Sequence, residues 1–254
     1  MFGFGRKKTA NVPSLTATAL SDTGLVRPNN EDNFHLDASR GVFCVADGMG
    51  GGAEGEKASA IVCREIRMMM NVVESDYATR VKAVQRSLID ANAAIHSYAQ
   101  TKGFREMGST AAALVFDLAD AAHATVLHVG DSRVYRLRGG LATPLTRDHS
   151  VGVELSDFAG RQAEALRDRS NRLAHILTRA VGAQPTVEVA SCEIEVRPGD
   201  RFVLCTDGVH DVITDARLAV FAGVGTLDSA KARLAEAVRA KGAPDNYTFI
   251  LVQS

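Results

Sequence analysis

Carboxylates recur where short apolar runs of this chain stop. Val42-Phe43-Cys44-Val45-Ala46 stops at Asp47-Gly48, Phe202 to Thr206 stops at Asp207-Gly208, and Val126 to Gly130 stops at Asp131-Ser132. Asp245 holds the mirror position just before Tyr247 to Val252, and Glu31-Asp32 adds an adjacent acidic pair in a polar loop. A strand that delivers a carboxylate fixes it on a rigid element, and the glycines after Asp47 let backbone groups approach whatever it holds. Each motif alone reads first as an Asp-Gly or Asx turn. If the ends converge, however, several like charges cannot all stay ionised unless a cation neutralises them. An oxygen-only ligand set selects Mg²⁺ or Mn²⁺ over zinc or copper. Such a cluster can hold two ions with a hydroxide between them, and hydrolysis of a phosphate ester is the typical task. Arg27, four residues before Glu31, would then fork onto phosphate oxygens; a surface ion pair is its other reading.

The elements that must position these residues follow from periodicity. Leu15 to Leu20 alternates as a half-buried strand, Ser21-Asp22-Thr23-Gly24 is turn chemistry, and Phe34-His35-Leu36 precedes the Val42 strand. Three- and four-residue apolar steps predict a helix from Gly55 to about Val73 and a second from Tyr77 to about Thr101. The second carries Val81, Val84, Leu88, Ala91, Ile95 and Tyr98 as one stripe, with Lys82, Arg86 and Asp90 outside. Further strands are read over Ser109 to Leu118, Ala124 to Gly130, Val134 to Leu137 with a Gly139-Gly140 turn, Glu193 to Val196, Arg201 to Thr206 and Tyr247 to Val252. A third helix covers about Asp228 to Arg239. Strict strand–helix alternation is missing, so packed antiparallel sheets with helices outside fit better than a doubly wound parallel sheet. Residues 1–14 read as a mobile lead-in, 15–254 as a single domain, and about 148–179 as a surface flap.

Composition narrows the function classes. The formal net charge is −1 and the charges are interspersed, so nothing argues for nucleic acid or membrane surfaces as partners. No apolar run reaches the roughly 18 residues of a membrane span, and Met1 to Ala10 has no apolar core of a secretory signal. A cytoplasmic protein is expected. Cys44, Cys63, Cys192 and Cys205 form no C-x-x-C pair and read as small buried apolar residues.

The ordered motifs closely resemble the metal-dependent serine/threonine phosphatases of the protein phosphatase 2C family, bacterial branch. The matching pieces are Gly24-Leu25-Val26-Arg27-Pro28-Asn29-Asn30-Glu31-Asp32-Asn33-Phe34, Val45-Ala46-Asp47-Gly48-Met49-Gly50-Gly51, and Gly55-Glu56 with Ala58-Ser59. Met107-Gly108-Ser109-Thr110, Gly130-Asp131-Ser132-Arg133, and Leu145-Thr146-Arg147-Asp148-His149-Ser150 come next. Leu177-Thr178-Arg179-Ala180-Val181-Gly182, Cys205-Thr206-Asp207-Gly208 and Asp245-Asn246-Tyr247-Thr248 complete the set. The resemblance implies an α+β fold: a four-layer α/β/β/α sandwich of two antiparallel β-sheets flanked by helix pairs. It implies two Mn²⁺ or Mg²⁺ ions, with Asp47 bridging both, the Gly48 carbonyl on one, and Asp207 and Asp245 completing the other. Glu31 would act through water, Asp32 in the surrounding network, Asp131 at a third, weaker metal, and Arg27 on the substrate phosphate. A hydroxide bridging the two metals would attack phosphorus directly, with no phosphoenzyme. Phosphoproteins, including a Ser/Thr kinase and its substrates, are the implied partners of a monomer.

This chain also departs from the family. Animal members often place a histidine just after Asp-Gly as leaving-group acid; Met49 stands here, as is usual in the bacterial branch. His149 and His210 could donate that proton, though a structural or solvent-facing role fits each better. Gly52 replaces a histidine common in relatives, and the 148–179 flap is the family's variable region, where substrate preference is expected to reside. No cysteine has an arginine six residues on, which excludes a cysteine-phosphatase loop. Two other readings are a non-catalytic phosphatase-fold binding or regulatory module, which should have lost metal carboxylates, and a phosphatase of small phosphate esters.

Overall fold

The structure is a computed structural model that describes residues 15–73, 76–159 and 176–254. The lead-in expected at 1–14 and residues 160–175 of the flap lie outside the described residues. Among the described residues eleven strands form two sheets: β1 (Thr16–Asp22), β2 (Asp32–Asp37), β3 (Val42–Met49), β4 (Gly108–Ser109), β5 (Ala111–Phe116), β6 (His123–Val129), β7 (Arg133–Arg138), β8 (Leu141–Pro144), β9 (Ala190–Glu195), β10 (Arg201–Cys205) and β11 (Tyr247–Gln253). One sheet runs β1-β11-β10-β7-β8; the other runs β2-β3-β5-β6-β9, with β4 pairing the end of β3. Every pairing is antiparallel. The helices among the described residues are α1 (Ala53–Met70), α2 (Tyr77–Lys102), α3 (Val151–Ala159), α4 (Asp207–His210), α5 (Asp215–Ala222) and α6 (Leu227–Ala240).

Period-2 alternation separates three layers of core. Val42, Cys44 and Ala46 face α1 and α2, together with Ala111, Ala113 and Val115. Phe43 and Val45 face the other way, toward Phe202, Leu204, Ile250 and Val252 of the opposite sheet. On that sheet Val203, Cys205, Phe249 and Leu251 turn outward beneath α5 and α6. The four layers are therefore helix pair, sheet, sheet, helix pair. Phe116 makes edge-on contacts with Phe43 (centroids 5.9 Å apart) and Phe202 (5.4 Å), tying the sheets together at their centre.

The helices carry their own stops. Asp76 caps α2 by accepting from the Thr79 amide at 3.0 Å, and Gly103 ends it in the left-handed region at φ 74°. The α2 stripe is buried at Val84, Leu88, Ala91 and Ile95, with Arg86 and Asp90 paired outside at 2.9 Å.

Three expectations need correction. Asp47-Gly48 is no turn: β3 continues through Met49, because Gly48 pairs with Ser109 and Met49 with Gly108. Asp207-Gly208 opens the short α4. Cys192 is exposed on β9, an edge strand, whereas Cys44, Cys63 and Cys205 are buried. The sequence reading also passed over α5, an eight-residue helix with only Leu218, Ala219 and Ala222 buried. Among the described residues no helix is long and apolar enough to cross a membrane.

Truncating the ring that the opposite sheet contributes to the stack tests this account. Phe202→Ala should cost about 3–5 kcal/mol of unfolding free energy, read from denaturant midpoints at unchanged slope.

Candidate functional site

The parity that builds the inter-sheet core also builds the site. Asp47 shares the face of Phe43 and Val45, and Asp32 is its register partner on β2. Thr206 shares the face of Phe202 and Leu204, and its hydroxyl donates to Asp32 Oδ2 at 2.8 Å across the two sheets. Asp207 follows at once. The carboxyls of Asp47 and Asp207 thus meet at one end of the sandwich, from different sheets, close enough for each to act on the other's charge.

Backbone and hydroxyl groups hold this corner rigid. The Thr110 amide donates to the Asp47 carbonyl at 2.8 Å, the Asp47 amide to Thr110 Oγ1 at 3.0 Å, and the Ser109 hydroxyl lies 2.9 Å from the same carbonyl. Thr110 Oγ1 in turn meets Ser132 Oγ at 2.6 Å, linking the corner to the Asp131 segment. Glu31 is held through its backbone: its amide donates to Asn246 Oδ1 at 2.9 Å, and its carbonyl accepts from Ser59 Oγ at 2.6 Å and the Gly48 amide at 3.1 Å. Gly48 is obligatory, since a Cβ there would lie 2.0 Å from the Gly55 carbonyl oxygen.

Burial sets the electrostatics. It drives the Asp47 carboxyl well above the ordinary range, helped by Asp32, Asp207 and Asp131. It lifts Asp32 to about 7 and Asp131 to about 6, with Asp207 adding to both, and raises Asp207 itself. Oδ1 of Asp207 and Oδ1 of Asp32 are buried with no hydrogen-bond partner. An all-oxygen set with orphaned carboxylate atoms and raised pKa values fits a hard divalent cation. As they stand, no three His, Cys, Asp or Glu side chains among the described residues form a closed ligand set. The reason is local. Arg27 Nη2 donates to Asp245 Oδ2 at 2.7 Å and the Gly52 amide donates to Glu31 Oε1 at 2.6 Å, so those two carboxylates are turned to partners within the chain.

Arg27 therefore forms an ion pair here, with the guanidinium half exposed at the mouth. The two histidines adopt structural positions. His149 accepts from the Gly130 amide through Nδ1 at 3.2 Å, stacks on His128 with centroids 4.6 Å apart, and is pushed down to about 4 by burial. His210 turns Nε2 to the Asp131 carbonyl at 3.1 Å. Asp148 takes both arms of Arg133 at 2.9 and 2.7 Å, so the base of the flap is fastened to the Asp131 segment from two sides.

Sequence reading missed Thr110, Thr206, Ser109, Ser59 and Asn246 as supports. Strand parity flags Thr206, a polar residue on a face otherwise apolar; the others bond across long separations that no local pattern encodes.

Comparison with known proteins agrees with this geometry. The family model described as protein phosphatase 2C matches residues 27–242. The serine/threonine protein phosphatase PstP of Mycobacterium tuberculosis is 32% identical over 239 residues, covering 93% of this chain but 44% of that protein, so the chain spans less than half the length of that relative. The solved structure of PppA, a key regulatory component of T6SS in Pseudomonas aeruginosa, superposes with a TM-score of 0.84 at 32% identity, covering 95% of this chain and 98% of that one. A catalytic domain of a serine threonine protein phosphatase PstP, solved in complex with 2 manganese ions, gives a TM-score of 0.79 at 32% identity over 94% of this chain and 97% of its own. With the family model spanning most of its length, this chain belongs to the protein phosphatase 2C family.

Proposed function

We propose that the chain hydrolyses phosphoserine and phosphothreonine monoesters in proteins, reversing a serine/threonine kinase. The observation that carries this reading is the meeting of Asp47 and Asp207 from opposite sheets, with a partnerless buried Asp207 oxygen, beside an arginine at the mouth. Asp47, the Gly48 carbonyl, Asp207 and Asp245 would hold two Mn²⁺ or Mg²⁺ ions, with Glu31 and Asp32 around them and Asp131 at a third. When bound, such ions supply Lewis acidity and an activated water for direct attack on phosphorus.

The chain's own residues do the positioning. Thr206 and Thr110 orient Asp32 and the Asp47 backbone, so the carboxylates need no reorganisation when charge develops. Arg27 presents guanidinium N–H groups beside Asp245, where phosphoryl oxygens can take them two at a time. Met49 offers no proton, His149 is bonded to the Gly130 amide, and His210 turns Nε2 to the Asp131 carbonyl.

Three outcomes follow. With Mn²⁺ or Mg²⁺ the protein should turn over p-nitrophenyl phosphate and a phosphothreonine peptide, and chelator should abolish both. Asp207→Asn should lower the rate by at least ~100-fold, since even outer partners of metal ligands are worth roughly 10–100-fold. Persistent turnover in chelator would sink the metal-dependent mechanism, and metal-dependent turnover of small esters alone would favour the small-ester reading. Arg27→Ala should raise KM for the phosphopeptide about 10- to 100-fold, the worth of a charged hydrogen bond, while Mn²⁺ binding measured calorimetrically persists.

A further outcome concerns pH. Asp32 has a folded pKa of about 7 against an unfolded value near 3.8. Its proton therefore stabilises the folded state below the unfolded value, and that contribution disappears as pH rises through about 7. The melting temperature in chelator should fall between about pH 5 and pH 8. Asp32→Asn should flatten this slope, and saturating Mn²⁺ should remove it.

A further inference from the structure

Leu25 and Val26, immediately before Arg27, are 61% and 69% exposed. Single exposed apolar residues need no explanation, but these two are consecutive and sit on a loop that is pinned. The Gly24 amide donates to Asp22 Oδ1 and the Leu25 amide to the Ala243 carbonyl, each at 2.9 Å. Asn246 Nδ2 donates to the carbonyls of both Thr23 and Asn29 at 2.8 Å, closing the loop at its two ends. Gly24 lies so close to the 243–245 backbone that a Cβ would come 2.3 Å from the Asp245 carbonyl oxygen. A loose loop would fold its apolar side chains inward. This one holds them in water on the Asp245 side of the mouth, next to the guanidinium.

We propose that Leu25 and Val26 form an apolar shelf that contacts the residue flanking the phosphorylated serine or threonine, so that substrates with an apolar neighbour are preferred over those with an acidic one. The inference deepens the phosphoprotein reading and rests on it. Two physical terms favour that preference. Covering exposed Val and Leu surface with an apolar neighbour is favourable, whereas a carboxylate there loses water without gaining a cation. Arg27, the adjacent cation, already faces Asp245 and would take the phosphate itself. Arg239, the other cation near the loop, is taken up by Asp22 at 2.7 Å, so it too is already paired.

The test compares two phosphothreonine peptides that differ only in carrying Val or Asp on both sides of the phosphothreonine, assayed with Mn²⁺. The wild-type protein should favour the Val peptide in kcat/KM by about tenfold, the scale of a small apolar contact. Leu25→Ser with Val26→Ser should bring that ratio close to one, mainly through KM of the Val peptide. Val26→Lys should move the ratio toward the Asp peptide, which a merely structural residue would not do. A wild-type ratio near one, or a ratio that survives both variants, overturns the shelf. Absence of turnover on either peptide and on p-nitrophenyl phosphate overturns the phosphatase reading instead, and the shelf with it.

Discussion

Like charge held out of water governs this molecule. Asp32, Asp47, Asp131 and Asp207 stand close enough at one end of the sandwich to raise one another's proton affinity. Burying carboxylates together is among the costlier things a fold can do, and a chain selected for stability alone would place apolar residues there. The surrounding structure makes sense as the means of holding that arrangement. Hydroxyls of Thr110, Thr206 and Ser109 and the amide of Asn246 each fix a backbone group or carboxylate oxygen of the cluster. What they leave open is informative. Oδ1 of Asp32 and of Asp207 are buried and face no donor, although Asp32 Oδ2 accepts from Thr206.

The spacing between the carboxylates is set by the core rather than by the loops that carry them. Asp47 arrives on β3 and Asp207 directly after β10, strands of different sheets. Their separation therefore depends on how far apart those sheets sit, and the edge-on stack of Phe43, Phe116 and Phe202 sets that distance. Close-packed interiors transmit strain, so a change of volume in that stack would be felt at the carboxylate corner.

The sequence carried the strands, the two long helices and the carboxylates well, because each has a local signature: alternation, a 3.6-residue stripe, or an acid after an apolar run. It carried the chemistry of Asp47 only through its company, since Asp-Gly alone signals a turn. The turn failed to form for a reason outside the local pattern. Gly48 lets the Gly55 backbone of α1 pass within contact distance and donates its amide to Glu31, so the strand continues where a hairpin would otherwise close. Asn246 shows the same limit more sharply. Its side chain bonds Glu31, Thr23 and Asn29 more than two hundred residues away, and nothing in the Asp245-Asn246-Tyr247 triplet encodes those partners. Cys192 fails in the opposite direction. Its run reads as a strand and is one, but an edge strand at the sheet's border leaves that face in water.

A division of labour follows between the floor of the site and its rim. On the floor, nearly every polar group is bonded within the chain, so the floor can recognise charge and little else. The residues that reach outward are on the 24–29 loop, where Arg27 supplies the one cation and Leu25 and Val26 supply apolar surface. On the proposed function, a phosphate group is common to all phosphoserine and phosphothreonine substrates, so recognition of phosphate alone would not separate them. Discrimination has to be exerted where the chain meets the neighbouring residues, and the loop beside Arg27 is rigid enough to exert it, because both its ends are tied to the same Asn246 side chain that fixes Glu31.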